Sequence, residues 1–313
     1  MHNLVPVVVA CICLAHAGNA EILSPNQGEP ALVLRGGEFS VRATEKSDLA
    51  LVSGDLRVPL EGTWSRGDTQ CIVRAPENVL PGKYAIECGG ATNHNAVFVY
   101  DEFPRRYTIV CVPAVALSDE GALQETIHRI NASGAALAIF LGTLSKSGGK
   151  EELERAAEAL RGCAVPTLVT PGPSDIAGGG YERYFGDGWH GTRFGEDAYL
   201  SLNSADLVPM DELGQGPAEI QRFRRMNRAA RWTVAFTNRL STLTSTRILL
   251  TLFVDDPADF VLSNDGLLRR KGFDPIPIGV APAALPETET GILLVEIGEA
   301  GPILVEAATQ EDK

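Results

Sequence analysis

The sequence predicts two domains of different class, an all-β sandwich over residues 21–104 followed by an α/β sandwich over residues 105–313. Three observations carry this. Before residue 105 the apolar runs are short and broken by Gly, Pro and Asn, with no helical period. After it, continuous apolar runs alternate with amphipathic stretches, which implies strands buried on both faces and covered by helices. A chain of 313 residues also exceeds one average domain of ~150.

Residues 1–20 read as a secretory signal peptide. Leu4 to Ala17 are almost wholly apolar, a stretch shorter than the ~20 residues that span a bilayer. Small residues then offer cleavage sites ahead of Glu21, although only His2 stands where Lys or Arg is usual. Nothing later is apolar enough to cross a membrane, so the expectation is a secreted or periplasmic protein. The formal net charge of −13 argues against nucleic acid and anionic membranes as partners. Arg222, Arg224, Arg225, Arg228 and Arg231 fall on a predicted helix, where a solvated face explains them.

The sandwich follows from ALVLRGG, EFSVRAT, LALVSGD, LRVPLEG, TQCIVRA, GKYAIEC and NAVFVYD. About seven such strands in roughly 85 residues match an immunoglobulin-like or fibronectin-like module. Cys71 and Cys88 lie on two of these runs, and an oxidising compartment would let them join; the sequence leaves their pairing open. Cys111 and Cys163 read as small buried hydrophobes, and no CxxC supports structural zinc.

The second domain opens with a strand from Tyr107 to Pro113. An amphipathic helix follows, with Leu123, Ile127 and Ile130 on one face. Next come a strand from Ala136 to Gly142, the helix EELERAAEALRG and a strand from Val165 to Gly172. AYLSLNS, WTVAFTN and ADFVLSN continue as strands, interleaved with a helix PAEIQRFRRMNRAA and another near Leu243 to Val254. GILLVEI and PILVEA close the chain as β runs. In such folds ligands sit beyond the carboxyl ends of the strands.

At those ends the sequence resembles the calcineurin-like metallophosphoesterases, over roughly residues 105–307. Tyr181-Glu-Arg-Tyr-Phe-Gly186 and Phe194 to Ser204 stand where that family carries similar segments. The resemblance implies an αββα sandwich with two divalent metals held by Asp-x-His, Gly-Asp, Gly-Asn-His-Asp, a later His and Gly-His-x-His. Two metals lower the pKa of a bound water and neutralise phosphoryl oxygens. Here Ala114 and Ala116 replace the first pair, and Gly142-Thr143 replaces Gly-Asp. Gly172-Pro-Ser-Asp175 replaces the third motif, Asn238 the later His, and Asn264-Asp265-Gly-Leu267 the last.

The vestigial pocket is therefore expected from Thr143, Ser174, Asp175, Asn203, Asn238, Asn264 and Asp265, with no catalytic residue, metal or cofactor. Two carboxylates without metals would repel phosphate and leave a pocket suited to a neutral polyol or sugar, or to a cation. Ordinary solvated loop residues are the plain alternative. His94 and His128 read as surface residues. His190, in the Gly-rich GDGWHGTRFG, could overhang the pocket, as a loop contact or as a ligand beside Asp187. Gly178 to Gly180 read as a connector, since no Lys follows as in a P-loop.

Three functions remain in play. The first is a secreted pseudoenzyme that binds or scaffolds an unknown protein or a neutral or cationic small molecule. The second is a divergent hydrolase with one metal on Asp175, Asp265 and His190. The third is a structural subunit of an extracellular or envelope assembly.

Overall fold

The computed structural model describes residues 20–65, 67–113, 120–203, 215–239, 258–264, 266–269 and 292–305. Residues 1–19 of the expected export signal, the helix expected near Leu243 to Val254, Ala114, Ala116 and Asp265 lie outside the described residues.

Residues 22–100 form nine short strands: β1 (Ile22–Ser24), β2 (Ala31–Leu34), β3 (Glu38–Ala43), β4 (Leu49–Ser53), β5 (Leu56–Leu60), β6 (Gly62–Trp64), β7 (Gln70–Arg74), β8 (Gly82–Cys88) and β9 (Ala91–Tyr100). They pair as two sheets, β1-β3-β7-β6 and β2-β9-β8-β4-β5. Alternation decides which side chains face inward. On β7, Cys71 and Val73 are buried while Gln70, Ile72 and Arg74 are exposed. Inward residues of both sheets, among them Val41, Val73, Leu51, Ile86 and Val97, share one core. Cys71 and Cys88 are both free thiols in that core.

The remaining elements are β10 (Tyr107–Val112), α1 (Glu120–Ala132), β11 (Leu137–Phe140), α2 (Lys150–Leu160), β12 (Thr167–Val169), α3 (Pro173–Ile176), α4 (Tyr181–Phe185), β13 (His190–Phe194), β14 (Asp197–Leu202), α5 (Gln215–Met226), β15 (Thr233–Thr237), β16 (Phe260–Ser263), β17 (Gly266–Arg269), β18 (Leu293–Gly298) and β19 (Gly301–Val305). Two five-stranded sheets result, β12-β11-β10-β18-β19 and β13-β14-β15-β16-β17. Each has three parallel strands at one side or the centre and antiparallel pairs completing it.

The two sheets face each other across Ile109, Ile139, Leu168, Tyr199, Val234, Phe236, Phe260 and Val295. A second apolar layer, including Ile127, Ile130, Leu153, Leu160 and Phe185, packs helices α1, α2 and α4 on the outer face of the first sheet. On α2, Leu153, Ala156, Ala157 and Leu160 are buried, the i, i+3, i+4, i+7 spacing of one helical face. The carboxyl ends of β11 and β12 therefore meet those of β14, β15 and β16.

At the opposite end Tyr107, Tyr199, Asp197 and Arg231 form a buried polar cluster. Arg231 grips Asp197 through two bonds of 3.0 and 2.6 Å, and the Tyr107 hydroxyl donates to Asp197 at 2.8 Å.

The sheets of residues 22–100 are joined to the later elements by side chains as well as by the chain itself. Lys83 Nζ donates to the carbonyls of Arg161 (3.0 Å) and Cys163 (2.9 Å). Asn95 Nδ2 donates to Leu160 O at 3.0 Å. These groups satisfy carbonyls left over at the end of α2, where a cation also suits the helix dipole.

Candidate functional site

Of the seven residues expected in the vestigial pocket, six are described, and all six lie at this one end of the sheets. Thr143 follows β11, Ser174 and Asp175 follow β12, and Asn203, Asn238 and Asn264 directly follow β14, β15 and β16.

Asp175 is wholly buried. Its Oδ2 accepts the backbone N–H of Thr143 (2.7 Å) and of Gly172 (2.8 Å). Its Oδ1 accepts the N–H of Ser145 (2.7 Å) and the Ser145 hydroxyl (2.9 Å). Four donors fill the roughly four lone-pair positions of a carboxylate. Burial raises its pKa, and the donors from Gly172 and Ser145 pull it back down. The expectation of an unpaired carboxylate facing a ligand is thus corrected for Asp175, which binds the two loops to each other. Ser174 adds to the same knot, its hydroxyl donating to Ser145 O at 2.8 Å.

Thr143 is held at φ 61°, a region that β-branched residues rarely occupy. That conformation turns its N–H toward Asp175. Strain of this kind persists only where neighbours over-determine it, and here the knot does so.

The amides bridge the two sheets. Asn238 Nδ2 donates to Leu141 O at 2.7 Å, and Asn264 Nδ2 donates to the same carbonyl at 2.9 Å. Thr170 adds a third crossing, its hydroxyl donating to Leu202 O at 3.2 Å. Asn203 is 6% exposed and lies beneath Gly188, where a side chain would begin 2.9 Å from its Nδ2. The segment Gly186 to Trp189 therefore covers Pro171 and Asn203 at the strand ends. A groove of about 450 Å³ lies elsewhere, lined by Ile127, Arg155, Glu158 and Ala159 of α1 and α2.

His190 is buried in the layer between the sheets, with its ring 6.1 Å from that of Phe236. Its Nδ1 lies 2.8 Å from the backbone oxygen of Asp187, while its Nε2 is buried without a hydrogen-bond partner. Burial pushes its pKa down to about 4, so the ring is neutral at physiological pH. The Asp187 carboxylate meanwhile accepts the Trp189 N–H at 2.9 Å, so the two residues meet through backbone rather than as a ligand pair.

The donor set does not fit the metals that the resemblance would imply. Asp175 has no lone pair to spare, the Asn238 and Asn264 amides donate inward, and His190 points into an apolar layer. No group of three or more His, Cys, Asp or Glu able to hold a metal occurs among the described residues. Sequence reading missed Ser145, which completes the knot, and Thr170, which adds to the crossing between the sheets. The only local sign was the Ser145-Lys-Ser-Gly-Gly stretch, whose hydroxyls suit side-chain-to-backbone turns.

No protein-family description matches the chain, and no curated protein does. Solved structures do match. A purple acid phosphatase from yellow lupin (Lupinus luteus) seeds aligns at 11% identity and a TM-score of 0.36, over 71% of this chain and 51% of that one. A predicted phosphoesterase from Streptococcus pneumoniae TIGR4 aligns at 11% identity and a TM-score of 0.29, over 61% of this chain and 83% of that one. The match thus spans about half the lupin enzyme's length. Likeness at that level leaves the family open.

Proposed function

We propose that this chain is an exported, non-catalytic relative of the calcineurin-like phosphoesterases that binds or scaffolds a partner. One observation carries the reading: the Asp175 carboxylate is enclosed by four donors from its own loops. A phosphoesterase centre needs open carboxylate and imidazole ligands around metal and water. Here the strand ends are closed by hydrogen bonds instead, with Asn238 and Asn264 taking up the crossing between sheets.

The N-terminal sandwich is read as an immunoglobulin-like or fibronectin-like docking module, and the apolar first twenty residues as the export signal. A protein partner suits this reading better than a sugar in the old pocket, because the pocket's polar groups bond one another.

The test is elemental analysis after dialysis against manganese, iron or zinc, combined with hydrolysis of a chromogenic phosphomonoester. The expected result is well below one equivalent of metal and no metal-dependent turnover. Two equivalents held at micromolar free metal would overturn the proposal.

A further inference from the structure

The turn Asn26 to Glu29, between β1 and β2, is seated in the second domain. Asn26 and Glu29 exchange backbone hydrogen bonds of 3.3 and 3.2 Å. Asn26 Oδ1 accepts the N–H of Gly28 (3.0 Å) and of Glu29 (3.1 Å), which fixes the turn internally. Its outward groups then meet β12. The Gly28 carbonyl accepts the Val169 N–H at 3.0 Å, and the Gln27 carbonyl accepts the Thr167 hydroxyl. Gly28 is pressed against α4 so closely that a side chain there would begin 2.3 Å from Phe185 O.

Glu29 reaches the segment that covers the strand ends. Asp187, in that segment, lies close enough to act on the charge of its carboxylate. Gly186, at φ 84°, passes so near that a side chain there would begin 2.8 Å from Glu29 Oε2. That Oε2 is buried and has no hydrogen-bond partner, and neither has the buried Gln27 Oε1. Charged and titratable groups face Glu29 from every side: Arg42 of β3 attracts it, while Asp187 and Glu219 of α5 repel it. Tyr181 of α4 also feels its charge.

A buried carboxylate oxygen without a donor, beside a second carboxylate, is costly when ionised and harmless when protonated. We propose that the Asn26–Glu29 turn is a proton-held latch: it stays seated on β12 and on the Gly186–Trp189 segment while Glu29 keeps its proton, and lifts when the carboxyl ionises. The proton leaves to bulk solvent, and the freed carboxylate gains hydration that the seat denies it. Burial, the largest influence, pushes the Glu29 pKa up to about 8, which puts the release in mildly alkaline solution. Gly186 is packed against Glu29 Oε2, so the segment over Pro171 and Asn203 loosens with the turn.

Amide hydrogen exchange on the full chain, corrected for intrinsic rates, tests this at Val169. Between pH 6 and 8.5 its protection should fall roughly 100-fold relative to the core amide of Ile139, following the proton released on lifting. Glu29→Gln keeps the shape without the charge and should show no such fall. Carbon-13 titration of the Glu29 carboxyl in the wild type provides a second measurement that needs no variant. A midpoint near 8 that coincides with the loss at Val169 supports the latch. A midpoint near the ordinary carboxylate value with the turn still seated overturns it, as does protection at Val169 that is unchanged to pH 8.5.

Discussion

Asp175 and Thr143 show how side-chain chemistry at one position depends on a loop some thirty residues away. The position of Asp175 was legible, because a strand ending in Pro171-Gly172 precedes it at the carboxyl end of the sheet. Its direction was not. A carboxylate in a loop reads as solvated or ligand-facing until the N–H groups of Thr143 and Ser145 are brought to it by the pairing of β11 with β12. Replacing Asp175 by Ala leaves three backbone N–H groups and one hydroxyl without their acceptor. Each buried unpaired group costs ~1–3 kcal/mol, and partial rehydration offsets some of that. The expected loss is about 3–5 kcal/mol in urea unfolding. A loss under about 1 kcal/mol would mean that the knot is incidental.

Among the elements, the aliphatic strands β10, β11, β12, β14, β15 and β16 and helices α1, α2 and α5 were readable from apolar runs and helical spacing. β13 and β17 were not. His190-Gly-Thr-Arg-Phe194 carries no aliphatic run, and becomes a strand because β14 offers it an open edge to pair with. Gly266 to Arg269 is four residues long and takes its place by pairing with β16. Such pairing is a tertiary effect, invisible to local pattern. The amides that tie the sheets together behave as one unit, since Asn238 and Asn264 share the carbonyl of Leu141. Asn238→Ala and Asn264→Ala should each cost about 1 kcal/mol. The double variant should cost more than their sum, because Leu141 O then loses both side-chain donors. Strict additivity in a double-mutant cycle would show that the two amides act independently.

Over the whole molecule, the change from β strands alone to strands alternating with helices was legible from where the apolar runs lengthen. The docking of the first nine strands on the later elements was not, since Lys83, Asn95 and the Asn26–Glu29 turn look like ordinary surface residues until α2 and β12 lie beneath them. This docking shapes the pH dependence of stability. Glu29, raised to about 8, contributes stability that is complete below its unfolded value and is lost as pH rises toward 8. His190, lowered to about 4, contributes stability that is present above its unfolded value and is lost as pH falls toward 4. Between about pH 4.5 and 6.5 the two slopes oppose each other, at ~1.4 kcal/mol per pH unit each. Thermal unfolding should therefore show a plateau across that range, with a decline above it. Glu29→Gln should turn the plateau into a rise with pH, and His190→Gln into a fall. A wild-type profile that both variants leave unchanged would rule out these two groups as its source.

The seat of the Asn26–Glu29 turn has one further consequence, for solubility at high concentration. An outermost strand offers unpaired N–H and C=O groups to any extended chain that passes, and aggregation by strand addition starts there. Among the described strands, β12 and β19 are the outer strands of their sheet. The Gly28 carbonyl already takes the Val169 N–H of β12, and the Gln27 carbonyl takes the Thr167 hydroxyl beside it. On β19 the second residue is Pro302, which has no N–H to give and is tolerated mainly in outer strands. One edge is covered by the Asn26–Glu29 turn and the other is blunted by a proline. In concentrated protein this sheet should thus be guarded against strand addition at β12 only while the Asn26–Glu29 turn stays seated.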